Sequence, residues 1–284
     1  MREAMTTLSI IGAGGNMGTR ISRALERFPQ KYRLLFVEKG PVGLERLAAS
    51  GRTPVPLRQA QEEAEVVVLA VPDRAIRQVA AEVVPGLRSG ALVILLDPAA
   101  PYAGHLPPRE DVAYFVTHPA HPPVFNDEVG EARRDFFGSG LAKQSIVSAL
   151  VQGTEADYAR GETIARDMFG PILRSHRVSL EQMALLEPAL SETVAATCIT
   201  IIREAMDEVI RRGVPPEAAR DFLLGHVNIP LAIVFGEIDW DFSEGAKRAI
   251  QEAKRELFQP DWKKVFEPEH LRRSVARITG EIPD

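Results

Sequence analysis

A cluster of glycines directly after a short apolar run constrains the fold of this 284-residue chain more than any other feature. Residues 8–11 have the apolar character of a buried strand, and residues 12–18 read Gly-Ala-Gly-Gly-Asn-Met-Gly at the start of a helical pattern. A strand, a glycine-rich turn and a helix in this order form the phosphate-binding unit of dinucleotide-binding folds. The sequence therefore predicts a dinucleotide at this turn, with its phosphates over the N-terminal amides of the helix.

The glycines of this turn have separate predicted tasks. We expect Gly12 to permit the tight turn, Gly14 or Gly15 to let backbone approach a pyrophosphate, and Gly18 to let helix and strand pack closely. The spacing fits G-x-G-x-x-x-G or G-x-x-G-x-x-G, because Met17 stands where the last glycine of the common pattern would fall. The predicted cofactor-binding residues of the turn are Gly12, Gly14, Gly15, Asn16, Met17 and Gly18.

Two further segments are expected at the same edge of the sheet. Glu38 ends the second predicted strand, where a carboxylate accepts hydrogen bonds from ribose hydroxyls and repels a 2′-phosphate, which favours NAD over NADP. Lys39 beside it could partner a phosphate, so the preference need not be strict. Val71, Pro72 and Asp73 end the strand at the expected switch point and are predicted to contact the cofactor. Asp73 could equally cap the helix that follows.

The patterning along the chain predicts two domains. Residues 1–152 alternate between strands and helices, and the runs 66–71 and 92–96 are apolar on both faces, which is typical of a parallel sheet covered by helices on both sides. Residues 153–284 have helical patterns. We therefore expect an α/β Rossmann N-terminal domain, with a mostly parallel doubly wound sheet that binds NAD, followed by an all-α substrate and dimerisation domain.

Composition narrows the function classes. The net charge of −5 gives no basic surface for nucleic acid, and a single cysteine, Cys198, cannot form a disulfide within the chain. Uninterrupted apolar runs reach six residues, far fewer than the roughly 18 of a membrane span, and the first residues lack a signal-peptide pattern. The sequence predicts a cytoplasmic protein that binds a small molecule, with no nucleic-acid or membrane partner.

The segment 117–128, Thr-His-Pro-Ala-His-Pro-Pro-Val-Phe-Asn-Asp-Glu, concentrates groups that can carry chemistry. It follows the last predicted strand of the sheet, at the edge where ligands bind in open α/β sheets. His118 and His121 stand three residues apart, and the prolines between and after them fix the backbone that presents them. Two histidines at this spacing in a loop are a weak metal signal, and a purely turn-forming role is the alternative.

In the helical half, Glu187 and Pro188 interrupt the longest helical pattern. A proline inside a helix removes the hydrogen bond to the carbonyl of Ala184 and bends the helix, and such breaks often mark functional positions. Glu187 is therefore the predicted site carboxylate, with Glu192 second, although a packing kink with solvated glutamates explains the pattern too. For His226 the sequence favours neither a core nor a functional role.

Seven segments together resemble one family: GAGGNMG, LAVPD, LDPAAPYAG, THPAHPPVFNDE, GLAKQSIVSALVQG, LLEPALSE and GHVN. It is the D-apionate oxidoisomerase-like family, NAD-binding oxidoreductases with a phosphogluconate-dehydrogenase-like C-terminal domain and distant kin of ketol-acid reductoisomerases and 6-phosphogluconate dehydrogenases. The resemblance covers roughly residues 8–280 and implies a homodimer through the helical domain. Lys143 does not match the lysine motif of the 6-phosphogluconate dehydrogenases, because a strand-like run follows it, so its role stays open between substrate contact and solvated lysine.

The resemblance implies that NAD oxidises the 2-hydroxyl of a small branched sugar acid and that an acyloin-type rearrangement follows. Both steps remove hydroxyl protons and leave negative charge on adjacent oxygens, which a divalent cation (Mg, Mn or Zn) would hold. On this hypothesis His118 and Glu187 bind the metal, His121 is a general base or substrate contact, and Asn126 donates a hydrogen bond to the substrate. The alternatives are a plain NAD(P)-dependent hydroxyacid dehydrogenase, decarboxylating or not, and a non-catalytic NAD-binding module.

Overall fold

The protein is described by a computed structural model over residues 5–282. The strands are β1 (Thr6–Ile11), β2 (Tyr32–Val37), β3 (Val66–Leu69), β4 (Leu92–Leu95), β5 (Ala113–Pro119), β6 (Gln144–Gln152) and β7 (Ile172–Arg177). The α-helices are α1 (Asn16–Leu25), α2 (Pro41–Ala49), α3 (Leu57–Glu63), α4 (Asp73–Val83), α5 (Ala99–Tyr102), α6 (Glu155–Phe169), α7 (Leu180–Ala184), α8 (Thr197–Arg211), α9 (Pro216–Val234), α10 (Glu244–Leu257) and α11 (Pro268–Ile278).

All seven strands form one sheet in the order β2-β1-β3-β4-β5-β6-β7. The first five are parallel, β6 runs antiparallel to β5, and β7 is parallel to β6. The strand order reverses between β1 and β3, and the crevice at such a switch point is where open α/β sheets bind their ligands. The structure thus confirms the predicted Rossmann-type sheet and places its binding edge at the ends of β1 and β3.

The sheet is buried on both faces, which explains its continuous apolar runs. Every residue of β3 and β4 is buried, and their side chains alternate between two separate apolar clusters. Ile76 of α4 packs in the cluster on one face, whereas Ile21 of α1 packs with Phe115 on the other. Complete burial of one such side chain contributes about 1.5–3 kcal/mol, so these two clusters dominate the stability of the sheet.

The contacts divide the chain into two compact units at a different position from the expected boundary at residue 152. The first unit runs through Glu187 and includes the residues from Arg272 onward, and the second is Pro188–Leu271. Residue 152 ends β6, and the sheet continues through α6 to β7. Strand β7 was not predicted because it is a polar edge strand, Ile-Leu-Arg-Ser-His-Arg, without a buried residue. The second unit is helical, as expected.

The helical stretch from α7 to α8 has an irregular middle. Ser179 and Gln182 form the predicted capping box at its start. Residues Leu185–Ala196 are π-helical and contain Pro188, so the predicted disturbance by this proline is confirmed. Within residues 5–282, the stretch Leu180–Arg211 is the one helix that is long and apolar enough to cross a membrane by length and composition, and few of its residues are buried.

Candidate active site

A cavity of about 540 Å³ opens at the carboxyl ends of the central strands, entirely within the first unit. It brings together the glycine turn, the ends of β3, β4 and β5, and the start of the π-helical segment. Its lining consists of Gly15, Asn16, Met17, Leu69, Ala70, Val71, Pro72, Asp73, Ile76, Leu95, Leu96, Asp97, His118, Pro119, His121, Phe137 and Glu187.

The glycine turn has the geometry that a dinucleotide requires. A Cβ on Gly18 would lie 2.2 Å from the carbonyl oxygen of Gly12, so only glycine allows α1 to start this close to β1. Gly15 precedes α1 as its N-cap and supplies no side-chain cap, and the first turn of α1 carries no acidic residue. The N-terminal amides of α1 are therefore not covered by a side-chain cap and offer positive partial charge to a pyrophosphate.

Glu38 lies beside this turn, as predicted. Its carboxylate accepts hydrogen bonds from the backbone amides of Gly14, Lys39 and Gly40, each at 2.9 Å. With Gly12 and Val71 it lines a smaller cavity of about 120 Å³. The ammonium of Lys39, the group that could partner the 2′-phosphate of NADP, donates a hydrogen bond to Glu82 at 2.5 Å. Both residues line the smaller cavity.

Asp73 faces a second carboxylate across the cavity rather than capping a helix. It is the first residue of α4, Pro72 occupies the N-cap position, and no side chain caps this helix. Burial and the neighbouring charge of Asp97 raise the pKa of Asp73 to about 7. Asp97 was missed by sequence reasoning, although its signal was available, since it follows β4 closely as Asp73 follows β3. Asp73 and Asp97 thus form a pair of neighbouring carboxylates in the cavity.

His118 lies on β5 itself, and its ring geometry fixes its tautomer. Its Nδ1 is 2.7 Å from the carbonyl oxygen of Leu96 and 3.9 Å from a carboxylate oxygen of Asp97. Because a carbonyl only accepts hydrogen bonds, Nδ1 carries the proton in the neutral ring and Nε2 keeps its lone pair. Burial lowers the pKa of His118, so the ring is a neutral base or ligand at pH 7.

His121 has the one left-handed backbone among the described non-glycine residues, with φ at +59°. Its Nδ1 is 3.0 Å from the carbonyl oxygen of Phe137, and the two rings contact each other with centroids 5.2 Å apart. The same tautomer argument leaves Nε2 of His121 as an acceptor. Burial is the main reason that the pKa of His121 is lowered, the hydrogen bond to the Phe137 carbonyl opposes this effect, and the charge of Arg20, with that of His118 when protonated, adds to it.

The remaining predicted residues divide between inside and outside the cavity. Glu187 lines it, together with His118 and His121. Asn126 does not: its amide donates to the carbonyl of Pro123 at 2.5 Å and accepts from the amide of Glu128, which closes a turn in its own loop. Lys143 also lies outside the lining, with its ammonium 3.9 Å from Asp127.

Glu192 and His226 belong to the second unit and are not among the residues that line this cavity. The imidazole of His226 stacks on Phe222 with ring centroids 4.0 Å apart, and its Nδ1 lies 2.9 Å from the carbonyl oxygen of that residue. These contacts lie within α9 and account for the orientation of the ring.

Two family descriptions match separate parts of the chain. Residues 126–279 match the C-terminal domain of decarboxylating phosphogluconate dehydrogenase. Residues 7–101 match the coenzyme F420-dependent NADP oxidoreductases. The second match covers β1 to β4 with the glycine turn, the first covers β6, β7 and the helices that follow, and β5 lies between the two matched ranges.

Known proteins resemble the chain over nearly its whole length. It is 52% identical to a D-apionate oxidoisomerase from Cupriavidus necator over 96% of this chain and 99% of that protein. It is 50% identical to a D-apionate oxidoisomerase from Rhizobium rhizogenes, over 97% of this chain and 100% of that one. A crystal structure of a semialdehyde dehydrogenase NAD-binding protein from Cupriavidus necator, in complex with calcium and NAD, superposes with a TM-score of 0.94 at 51% identity, covering 97% of this chain and 100% of that one.

Proposed function

This chain belongs to the D-apionate oxidoisomerase family of NAD-dependent oxidoreductases, and from this premise we propose that it oxidises a small branched sugar acid and rearranges the product. The observation that carries the proposal is the cavity itself. It joins the glycine turn to two neutral histidines and three carboxylates, Asp73, Asp97 and Glu187.

The proposed reaction has two steps. In the first, the C2–H bond of the 2-hydroxy acid breaks with transfer of hydride to NAD, and the 2-hydroxyl gives up its proton. In the second, the 3-hydroxyl loses a proton, a hydroxymethyl group moves with its electron pair from C3 to C2, and the former C2 carbonyl oxygen takes up a proton. The product is a 3-oxo acid that is isomeric with the 2-keto intermediate, so only the first step changes the oxidation state.

The histidines have the protonation state that these steps need. His121 is our candidate for the general base, because its Nδ1–H is held by the Phe137 carbonyl and its Nε2 remains an acceptor. Asp73, with a pKa of about 7, can take up a proton and return it near neutral pH. Asn126 remains a candidate substrate contact, although its side chain is engaged within its own loop.

A divalent cation fits the chemistry of part of this lining. His118 Nε2 and the Glu187 carboxylate would hold it, and it would supply positive charge for adjacent substrate oxygens. Among the described residues, no group of three or more His, Cys, Asp or Glu side chains is close enough to hold an ion unaided. Substrate oxygens and water would therefore complete the shell, as is usual for Mg²⁺.

The charges that line the cavity would disfavour an anionic substrate unless additional positive charge were bound there. Of the described residues that line it, three are carboxylates and none is lysine or arginine, although the proposed substrate is an anion. Protonation of Asp73 removes one negative charge, and a cation would offset others. The charge balance of the lining therefore supports the metal proposal.

We propose further that the protein acts as a homodimer in the cytoplasm, with the second unit as its dimerisation surface. Helices α8 and α10 contain no buried residue, and large apolar side chains such as Phe222 are exposed. In the part of the apolar stretch Leu180–Arg211 that belongs to the second unit, the exposed apolar side chains would be covered by a second copy rather than by lipid.

The deciding experiment is a screen for NAD reduction across branched and linear aldonates, with and without divalent metal, followed by NMR of the product. Turnover of a branched acid with a 3-oxo product supports the proposal. A 2-keto or decarboxylated product with an unshifted skeleton would instead identify a plain hydroxyacid dehydrogenase, the alternative suggested by the description of the C-terminal family. Full activity after exhaustive chelation would exclude the metal, and NAD binding without turnover would indicate a binding module.

A further inference from the structure

We infer that Arg20 is a positioning residue that fixes His121 in the cavity through the segment of Phe137 and Gly138. The inference rests on the proposed role of His121 as a base. It concerns a residue of α1, the helix that follows the cofactor turn, and therefore links the cofactor side of the cavity to the catalytic side.

The guanidinium of Arg20 is half-buried, and the nearby negative charge of Asp135 acts on it without forming a salt bridge among the described residues. Its Nη2 donates to the carbonyl of Gly138 at 2.6 Å, and its guanidinium lies 4.5 Å from the ring centroid of Phe137 and 5.4 Å from that of Phe169. Its Nε and Nη1 are buried without a hydrogen-bond partner among the described residues. Leaving such donors unpaired is costly, and the stacking of the guanidinium and its hydrogen bonds, which include a longer one from Nη2 to Oε1 of Gln144 at 3.4 Å, must offset that cost.

What these contacts hold is the segment that orients His121. The carbonyl of Phe137 accepts the Nδ1–H of His121, and the Phe137 ring contacts the imidazole and lines the cavity. Phe137 itself is 48% exposed, so burial alone does not fix its position. Arg20 holds it on both sides, by stacking on the ring and by binding the next carbonyl along the chain.

His121 needs this support because its backbone is strained. A φ of +59° is unfavourable for a residue with a Cβ, and such a conformation persists only where surrounding contacts enforce it. Phe137 supplies the hydrogen bond to its ring and the nearer of its two ring contacts, the other being an edge contact with His118 at 6.3 Å between centroids. Without Arg20, we expect the Phe137 carbonyl to move and His121 to lose both its tautomer and its direction.

The test is a double-mutant cycle of Arg20→Gln in the wild-type and His121→Asn backgrounds. Asparagine tolerates the left-handed backbone, so the second background removes the imidazole with little strain. In the wild-type background we expect kcat to fall about 10- to 100-fold, as for a misplaced base, with KM for NAD changed less than twofold. In the His121→Asn background Arg20→Gln should have no further effect. Arg20→Lys, which keeps the charge without the planar fork, should recover little activity.

Arg23→Gln is the matched control, since Arg23 is exposed one turn further along the same helix. It should leave both constants unchanged. A fall of equal size in the two backgrounds would overturn the inference, because Arg20 would then act independently of His121.

A second measurement does not depend on turnover. The ¹⁵N NMR signals of the His121 ring report its tautomer, and Arg20→Gln should convert the Nδ1–H form into an averaged mixture while Arg23→Gln should not. If the protein turned over no sugar acid but showed this change, the positioning would stand and the proposed function would fail. Unchanged His121 signals in Arg20→Gln would reject the positioning whatever the substrate.

Discussion

The two compact units differ in how far their apolar side chains are buried. In the first, β3 and β4 are buried along their whole length, and large side chains such as Phe115 are fully enclosed. In the second, α9 buries only Ala219, while Phe222 is 69% and Trp240 is 74% exposed. Exposed apolar surface on this scale marks an interaction site. The first unit therefore has its own core and contains the candidate site, and the second unit leaves the apolar surface that we propose a second copy covers.

The largest expected effect comes from a substitution that disrupts the proposed dimer surface of the second unit. Phe222 lines an apolar groove between α8 and α9 with Met206 and Val214. Phe222→Asp should raise the dimer dissociation constant by roughly 30-fold or more, which corresponds to about 2 kcal/mol or more for an aromatic interface residue. Sedimentation velocity across a concentration series would measure it.

The control for this prediction comes from the first unit. Val129 is 81% exposed, so Val129→Asp makes a comparable change on a surface that we do not expect to associate. Equal association in wild type, Phe222→Asp and Val129→Asp would show that the exposed residues of the second unit do not form the dimer.

The next effect belongs to the glycine turn of the first unit. In Gly18→Ala the new methyl group of α1 would meet, at 2.2 Å, the carbonyl oxygen of Gly12 in the turn directly after β1. Such overpacking costs about 1–3 kcal/mol, and we expect NAD affinity to fall about 10- to 100-fold by titration calorimetry.

Gly225→Ala is the matched substitution in the second unit, because a Cβ there meets no atom within 4 Å. It should leave NAD affinity unchanged. If both variants bound NAD as wild type does, the close approach at Gly18 would not be needed for the cofactor.

A similar contrast between buried and exposed elements explains which parts of the fold could be predicted from the sequence. Strands β3 and β4 were predicted because burial on both faces leaves an uninterrupted apolar run. Strand β7 was not, because an exposed edge strand needs no such run. The position of the unit boundary depends on that strand and on α6, and the segment from Arg272 returns to the first unit through contacts that no local pattern encodes.

Candidate site residues at the ends of buried strands could be predicted, because the apolar runs of the sequence locate those ends. His118 and Asp73 stand at the ends of buried strands, and the proline break singled out Glu187. Asp97 has an equivalent position after β4, and although its segment was quoted for the family resemblance, no role was predicted for this carboxylate. Arg20 was out of reach for a different reason: it contacts Gly138, which is 118 residues away in the chain, so only the folded sheet brings them together.

A smaller effect should appear in the pH dependence of the first unit's stability. The pKa of Asp73 is raised from 3.8 to about 7, so the folded state holds this proton more tightly than the unfolded state does. The stability that this proton confers is complete below about pH 4 and is lost as the pH rises through 7. Asp73→Asn, which mimics the protonated form, should gain stability over wild type between pH 4 and pH 8, and solvent screening of this part-exposed carboxyl reduces the gain from the roughly 4 kcal/mol of the full shift to about 1–2 kcal/mol.

Urea unfolding at several pH values, in chelator and without NAD, would measure this gain. Asp221→Asn makes the same change at an exposed position of the second unit and should follow the wild-type pH dependence. A constant difference between Asp73→Asn and wild type from pH 4 to pH 8 would show that Asp73 is ionised throughout.

The smallest expected effect separates two roles of Glu38. Its carboxylate accepts the amide of Gly14 and so organises the turn, and its charge should also repel a 2′-phosphate. Glu38→Ala should weaken NAD binding and narrow the preference for NAD over NADP by about fivefold, near 1 kcal/mol, measured as the ratio of kcat/KM for the two cofactors. Glu45→Ala, at an exposed glutamate of α2, should leave that ratio unchanged. If Glu38→Ala weakened the binding of NAD and NADP equally, the carboxylate would only organise the turn. Discrimination between NAD and NADP would then have to come from other residues around the smaller cavity, where Lys39 donates a hydrogen bond to Glu82. Either outcome keeps cofactor selection within the first unit, because every group concerned belongs to it.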